Sequence, residues 1–96
     1  MKVYQINYDL RKQRNYDALY QKIKSYGTWC HPLESCWIVA SHKTAVEIRD
    51  DLGTAIDNDD GLLITRLQGE AAWYNLDDKG SQVVANWLKS NLGSAT

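Results

Sequence analysis

The chain predicts an α+β fold in which one antiparallel four-stranded sheet carries two helices on one face. Three observations predict it. Residues 3–10 alternate strictly, as a strand does. Tyr16, Leu19, Tyr20 and Ile23 recur at i, i+3, i+4 and i+7, and Ala45, Ile48, Leu52 and Ile56 at i, i+3, i+7 and i+11, each the stripe of a helix packed on one side. Further strand-forming segments follow each helical stripe. Ninety-six residues with 44% apolar content suit one domain with a single core.

In the first segment Tyr4, Ile6, Tyr8 and Leu10 share one face, and Val3, Gln5, Asn7 and Asp9 share the other. The first set faces a core. The second is mostly polar and ends in a carboxylate, followed at once by Arg11, Lys12 and Arg14. Asn15 is placed to cap a helix from Tyr16, whose stripe is Tyr16, Leu19, Tyr20 and Ile23. Gly27 suits its end, and Lys22 and Lys24 complement the dipole of its last turns. Residues 28–40 read as two strands around a turn at Pro32, Leu33 and Glu34, because proline cannot donate to a ladder. The second of these, residues 36–40, is apolar on both faces. A strand with helices on one side only should alternate, so the extra apolar face calls for a cover, which a partner subunit would supply.

Thr44 and Glu47 spell a capping box, and Ala45, Ile48, Leu52 and Ile56 continue as a stripe to about Ile56, weakened by Gly53. Residues 57–61 form a polar turn before a strand over residues 62–67. The order strand, helix, strand, strand, helix, strand with right-handed crossovers gives the ferredoxin-like βαββαβ plait. Residues 69–76 form a short fifth strand or an arm, residues 77–80 a break, and Ser81–Leu92 a terminal helix striped by Val83, Val84, Trp87, Leu88 and Leu92. Residues 1–76 are thus expected as the plait and 77–96 as its helical extension, frayed at 93–96.

Charge and cysteine content bound the function. Net charge is −1, against a dedicated basic binder of nucleic acid. The distribution is uneven: residues 1–48 hold seven Lys or Arg against four Asp or Glu, and residues 49–96 four against eight. Phosphate contacts would therefore come from the first half. No apolar run reaches membrane-spanning length and no signal-peptide pattern opens the chain, so the expected setting is cytoplasmic and away from membranes. There Cys30 and Cys36 are expected as free thiols. Cys30, His31, Cys36 and His42 have zinc-ligand types, but Cys30 and His31 are strand neighbours pointing to opposite faces and cannot easily share an ion. Tyr4, Tyr8, Trp29, Trp37 and Trp73 could stack bases, although alternation assigns Tyr4 and Tyr8 to the core.

Asp9 is the candidate ligand for Mg²⁺ or Mn²⁺, hard ions that take carboxylate oxygens, with Arg11, Lys12 and Arg14 beside it as phosphate-binding cations. Its structural alternative is a salt bridge to the adjacent basic loop. Tyr8-Asp9 closes the first strand, Arg14 precedes a helix that closes on Tyr26-Gly27, Ser35-Cys36-Trp37 opens the third strand, and residues 60–67 form the fourth. In this order and spacing, over about two thirds of the chain, residues 3–67 resemble the Cas-two family, small CRISPR-associated proteins of the spacer-acquisition machinery, and the related short bacterial proteins given a SinR-family label. Three positions depart from the family pattern: Trp37 stands where phenylalanine is usual, Cys36 where valine is, and Leu33 where a glutamine is expected.

The resemblance implies a ferredoxin-like homodimer in which the two copies of Asp9 face one another, bind a divalent metal and support endonucleolytic cleavage of RNA or DNA, as a toxin-like endoribonuclease would. It equally admits a noncatalytic dimeric adaptor that bridges another protein and holds nucleic acid without cutting. Val3, Gln5, Asn7 and Trp37 are the residues expected at the contact between copies.

Overall fold

The first strand, β1 (Lys2–Asp9), is an inner strand of a four-stranded antiparallel sheet ordered β2-β3-β1-β4, in a computed structural model that describes residues 1–11, 16–74, 76, 81–92 and 94–95. Its neighbours are β3 (Cys36–Ser41), paired as Ile6 with Trp37, and β4 (Gly61–Leu67), paired as Ile6 with Ile64. The outer strand β2 (Thr28–Leu33) pairs with β3.

Alternation sorts the sheet into two faces, and each has its own core. Tyr4, Ile6, Tyr8, Trp37 and Val39 pack with Leu19 and Ile23 of α1 (Asp17–Lys24) and Ile48 and Leu52 of α2 (Ala45–Gly53). Six side chains of this layer are essentially sealed from water: Ile6, Leu19, Ile23, Val39, Ile48 and Leu52. Each contributes about 1.5–3 kcal/mol from burial. On the opposite face Val3, Cys30, Ile38 and Ala40 pack under Val84 and Leu88 of α3 (Ser81–Leu92).

That second core corrects the expectation that a partner subunit must cover the extra apolar side of β3. The chain's own terminal helix does so, anchored by Trp87, whose indole N–H donates to Thr28 Oγ1 at 2.8 Å. Alternation reports that a face is buried but not what buries it.

Other boundaries shift for local reasons. The helix expected from Tyr16 begins one residue later, with Tyr16 as an N-cap lacking a side-chain cap bond; the proposed cap, Asn15, lies outside the described residues. β2 continues through Pro32 to Leu33, with a register shift after Cys30, so the turn falls at Glu34 and Ser35. An edge strand tolerates this proline because a missing N–H on its outer side breaks no ladder bond. The capping box forms as read: Glu47 N donates to Thr44 Oγ1 at 3.2 Å and Thr44 N to Glu47 Oε1 at 2.8 Å. α2 stops at Gly53 rather than reaching Ile56.

Residues 94–95, expected to fray, form β6 (Ser94–Ala95), paired in parallel with β5 (Glu70–Ala71). Among the described residues no helix is long and apolar enough to cross a membrane.

Candidate functional site

β1 carries Asp9 to one end of the sheet, on the face shared with Val3, Gln5 and Asn7 but beyond the reach of α3. Alternate positions place it there, and its side chain is 73% exposed. Its cross-strand partner on β4 is Gly61. A Cβ at Gly61 would lie 3.1 Å from Arg11 Nη2 and 3.4 Å from Asp9 Cβ, so the glycine leaves room for the arginine to lie across the strand end.

Arg11 ties this end together. Its Nε donates to Asp9 Oδ2 at 3.2 Å, its Nη1 to the Asp59 carbonyl at 2.8 Å, and its backbone N to Asp60 Oδ1 at 2.8 Å. The other oxygen of Asp60 accepts from Tyr16 Oη at 3.0 Å and from the backbone N of Asp57 at 2.9 Å. Asp60 thus acts as a latch joining the β1 end, the start of α1 and its own turn. The carboxylates of Asp57, Asp59 and Asp60 come within 4.8 Å of one another, close enough for one cation to be shared. The donors are all oxygen, which suits a hard ion of the Mg²⁺ or Mn²⁺ type rather than a thiophilic one. Asn7, Tyr8, Asp9, Gly61, Leu62 and Leu63 line a depression of about 290 Å³ beside Asp9.

The structure separates the residues singled out from the sequence. Asp9 and Arg11 meet at the strand end, while Lys12 and Arg14 lie outside the described residues. Val3, Gln5 and Asn7 share Asp9's face, but Val3 is 7% exposed beneath α3, and Gln5 and Asn7 are half-buried. Trp37 faces the other way. It is 3% exposed in the helix-side core, where its indole N–H donates to Tyr8 Oη at 3.0 Å. As the alternation argument required, Cys30 lies in the core under α3 whereas His31 is exposed and stacks on Trp37 from the opposite face.

From the sequence alone, nothing in Asp57, Asn58, Asp59 and Asp60 distinguishes a solvated turn from a cluster. A run of three carboxylates in four residues before a strand was the signal available.

Burial governs the titratable groups beneath the site. Desolvation pushes the Tyr8 phenol up to about 12 despite the donated indole bond, and its own hydroxyl donates to the Glu34 carbonyl at 2.9 Å. Cys30 is likewise pushed up to about 12, and burial raises Cys36, so neither thiol is an activated nucleophile. Asp51 is held below the ordinary carboxylate range, first by the Tyr26 hydroxyl at 2.5 Å and then by Lys22 at 3.1 Å. No protein-family model matches the chain, and no solved structure matches it.

Proposed function

We propose that the protein is a Cas-two-like homodimer that acts on nucleic acid as a metal-dependent endonuclease, with Asp9 of each copy at the centre of the site. The single observation that carries this reading is the position of Asp9: an exposed carboxylate, flanked by a guanidinium, on the end of the sheet face that α3 leaves open. The order β2-β3-β1-β4, with α1 and α2 on one face, supports the ferredoxin-like plait. Leu63, 61% exposed and paired with Asn7, gives the uncovered end an apolar contact for a second copy.

In this reading Asp9 and its counterpart in the second copy hold Mg²⁺ or Mn²⁺, and the neighbouring Asp57–Asp60 turn adds negative charge to retain it. When bound, such an ion polarises a phosphodiester or activates water. Arg11, whose guanidinium side chain is 56% exposed, neutralises the adjacent phosphate. The depression beside Asp9 admits a strand of nucleic acid to the carboxylates.

The test is cleavage of labelled RNA and DNA by the wild type and Asp9→Asn, with Mg²⁺ or Mn²⁺ and with chelator. Metal-dependent cutting that Asp9→Asn abolishes is expected; equal cutting by both proteins would refute the assignment. Asp59→Asn in parallel separates the two acidic groups, since loss there with Asp9→Asn still active would move the ion to the turn.

A second reading, a noncatalytic dimeric adaptor, is favoured by one observation: Asp9 is already neutralised by its own Arg11, and Asp60 already accepts from three donors. Salt-dependent binding of nucleic acid without turnover in any metal would support it.

A further inference from the structure

The acidic site leaves a second feature unexplained, on the other face of the sheet at the β2 edge. Trp37 stacks with Tyr20 at a centroid distance of 6.1 Å and 24° and with His31 at 3.8 Å and 10°, while Trp29 leans against it at 5.2 Å and 55°. Trp37 is buried and Tyr20 half-buried, but the array ends in solvent: His31 is exposed and Trp29 is 36% exposed.

His31 is also held in place. Its Nε2 lies 3.0 Å from the Glu34 carbonyl, the same oxygen that accepts from Tyr8 Oη at 2.9 Å. A ring fixed by a stack and a hydrogen bond loses little freedom when a ligand covers its outer face, so its π-surface is pre-organised for a flat partner. Trp29 and His31 occupy alternate positions of one strand face, about 7 Å apart along the chain.

Charge decides which flat ligand fits. Lys24 Nζ stands 5.6 Å from the Trp29 ring centroid. Glu34 lies at the opposite end, next to His31. A molecule with an aromatic plane and an anion suits this polarity, with the anion at the Lys24 end. Single-stranded nucleic acid supplies both in repeating form, and its bases are unpaired and free to stack.

We propose that Trp29 and His31 form a base-stacking platform for single-stranded nucleic acid, with Lys24 taking a backbone phosphate. This rests on the reading of nucleic acid as the substrate, and assigns it a path over the β2 edge in addition to the Asp9 end. The platform narrows the aromatic set read from the sequence: Tyr4, Tyr8 and Trp37 are core, and Trp73 packs on the α3 side.

The test is fluorescence anisotropy with fluorescein-labelled rU12, dT12 and a 12-base-pair duplex, in chelator so that nothing is cut. Trp29→Ala and His31→Ala should each weaken single-strand binding about 5- to 100-fold, as loss of one stacked base does. His31→Tyr and Trp29→Phe keep a ring and should stay within about threefold of wild type, which also guards against misfolding. Lys24→Glu should weaken binding and flatten its salt dependence. The duplex should bind more weakly than either single strand, and the rU12 and dT12 arms show which strand chemistry is preferred.

Alanine variants that bind like wild type would overturn the platform, as would ring-retaining variants as weak as the alanines, or a duplex bound as tightly as the single strands. If those results accompany cleavage that still depends on Asp9, the nuclease reading survives alone. Absence of any oligonucleotide binding or cleavage by the wild type would end both.

Discussion

Leu88→Ala tests whether α3 is a structural layer of the domain. Leu88 is 4% exposed, packed in one core with Val3, Cys30, Ile38, Ala40 and Val84. Leu→Ala in a core costs about 2–5 kcal/mol, the transfer of the lost methyl and methylene groups plus the cavity left behind. Leu88 also borders a cavity of about 500 Å³ between α3, the sheet, residues 70–74 and Leu76, so part of its shell is already missing. The expected loss is therefore in the lower half, about 2–3 kcal/mol.

For a domain of this size, a urea slope of about 1–1.5 kcal/mol/M turns that loss into a midpoint lowered by about 1.3–3 M. The thermal midpoint should fall by about 10–20 °C. Val83→Ala, on the same helix but at a residue 64% exposed, is the control and should change stability by less than about 0.5 kcal/mol. The assay is urea unfolding followed by tryptophan fluorescence, at two protein concentrations. Midpoints for Leu88→Ala and Val83→Ala that coincide with wild type would refute the reasoning, because α3 would then not be docked and the apolar face of β3 would need another cover.

Three further outcomes follow from particular groups. Thr44→Ala removes the side-chain acceptor of the α2 capping box and should cost about 1 kcal/mol by urea unfolding, with Thr44→Ser close to wild type. Asp51 is held below its ordinary value, so its contribution is fully present above the unfolded carboxylate range and is lost as pH falls through the native value; Asp51→Asn should lower stability near neutrality and flatten the acid limb, the two proteins converging at low pH. Cys30 and Cys36 are 2% and 6% exposed with raised thiol pKa values, so Ellman's reagent at pH 8 should label neither in the native protein and both in denaturant; fast labelling of native protein would contradict the packed α3 layer.

Much of the architecture was legible because short-range physics dictates it. Alternation in β1 assigned Tyr4, Ile6 and Tyr8 to the helix-side core, and they are there. The pairing of Thr44 with Glu47 marked the start of α2 to the residue, since a capping box depends on groups three positions apart. Asp9 was placed at an exposed strand end by the same local logic. Pro32 does not mark the turn, because its effect depends on whether the strand is inner or edge, and that is a property of the sheet.

What the sequence determined by itself is the set of contacts written within a few residues: which side chains share a face, where a helix begins, and that β3 must be buried on both sides. The tertiary structure alone decided what covers the second side, bringing α3 back over Cys30, Ile38 and Ala40. It alone joined Arg11 to an acidic turn 48 and 49 residues away and set His31 against Trp37. Periodicity states that a surface must be satisfied, whereas the identity of the group that satisfies it depends on how distant segments converge in space.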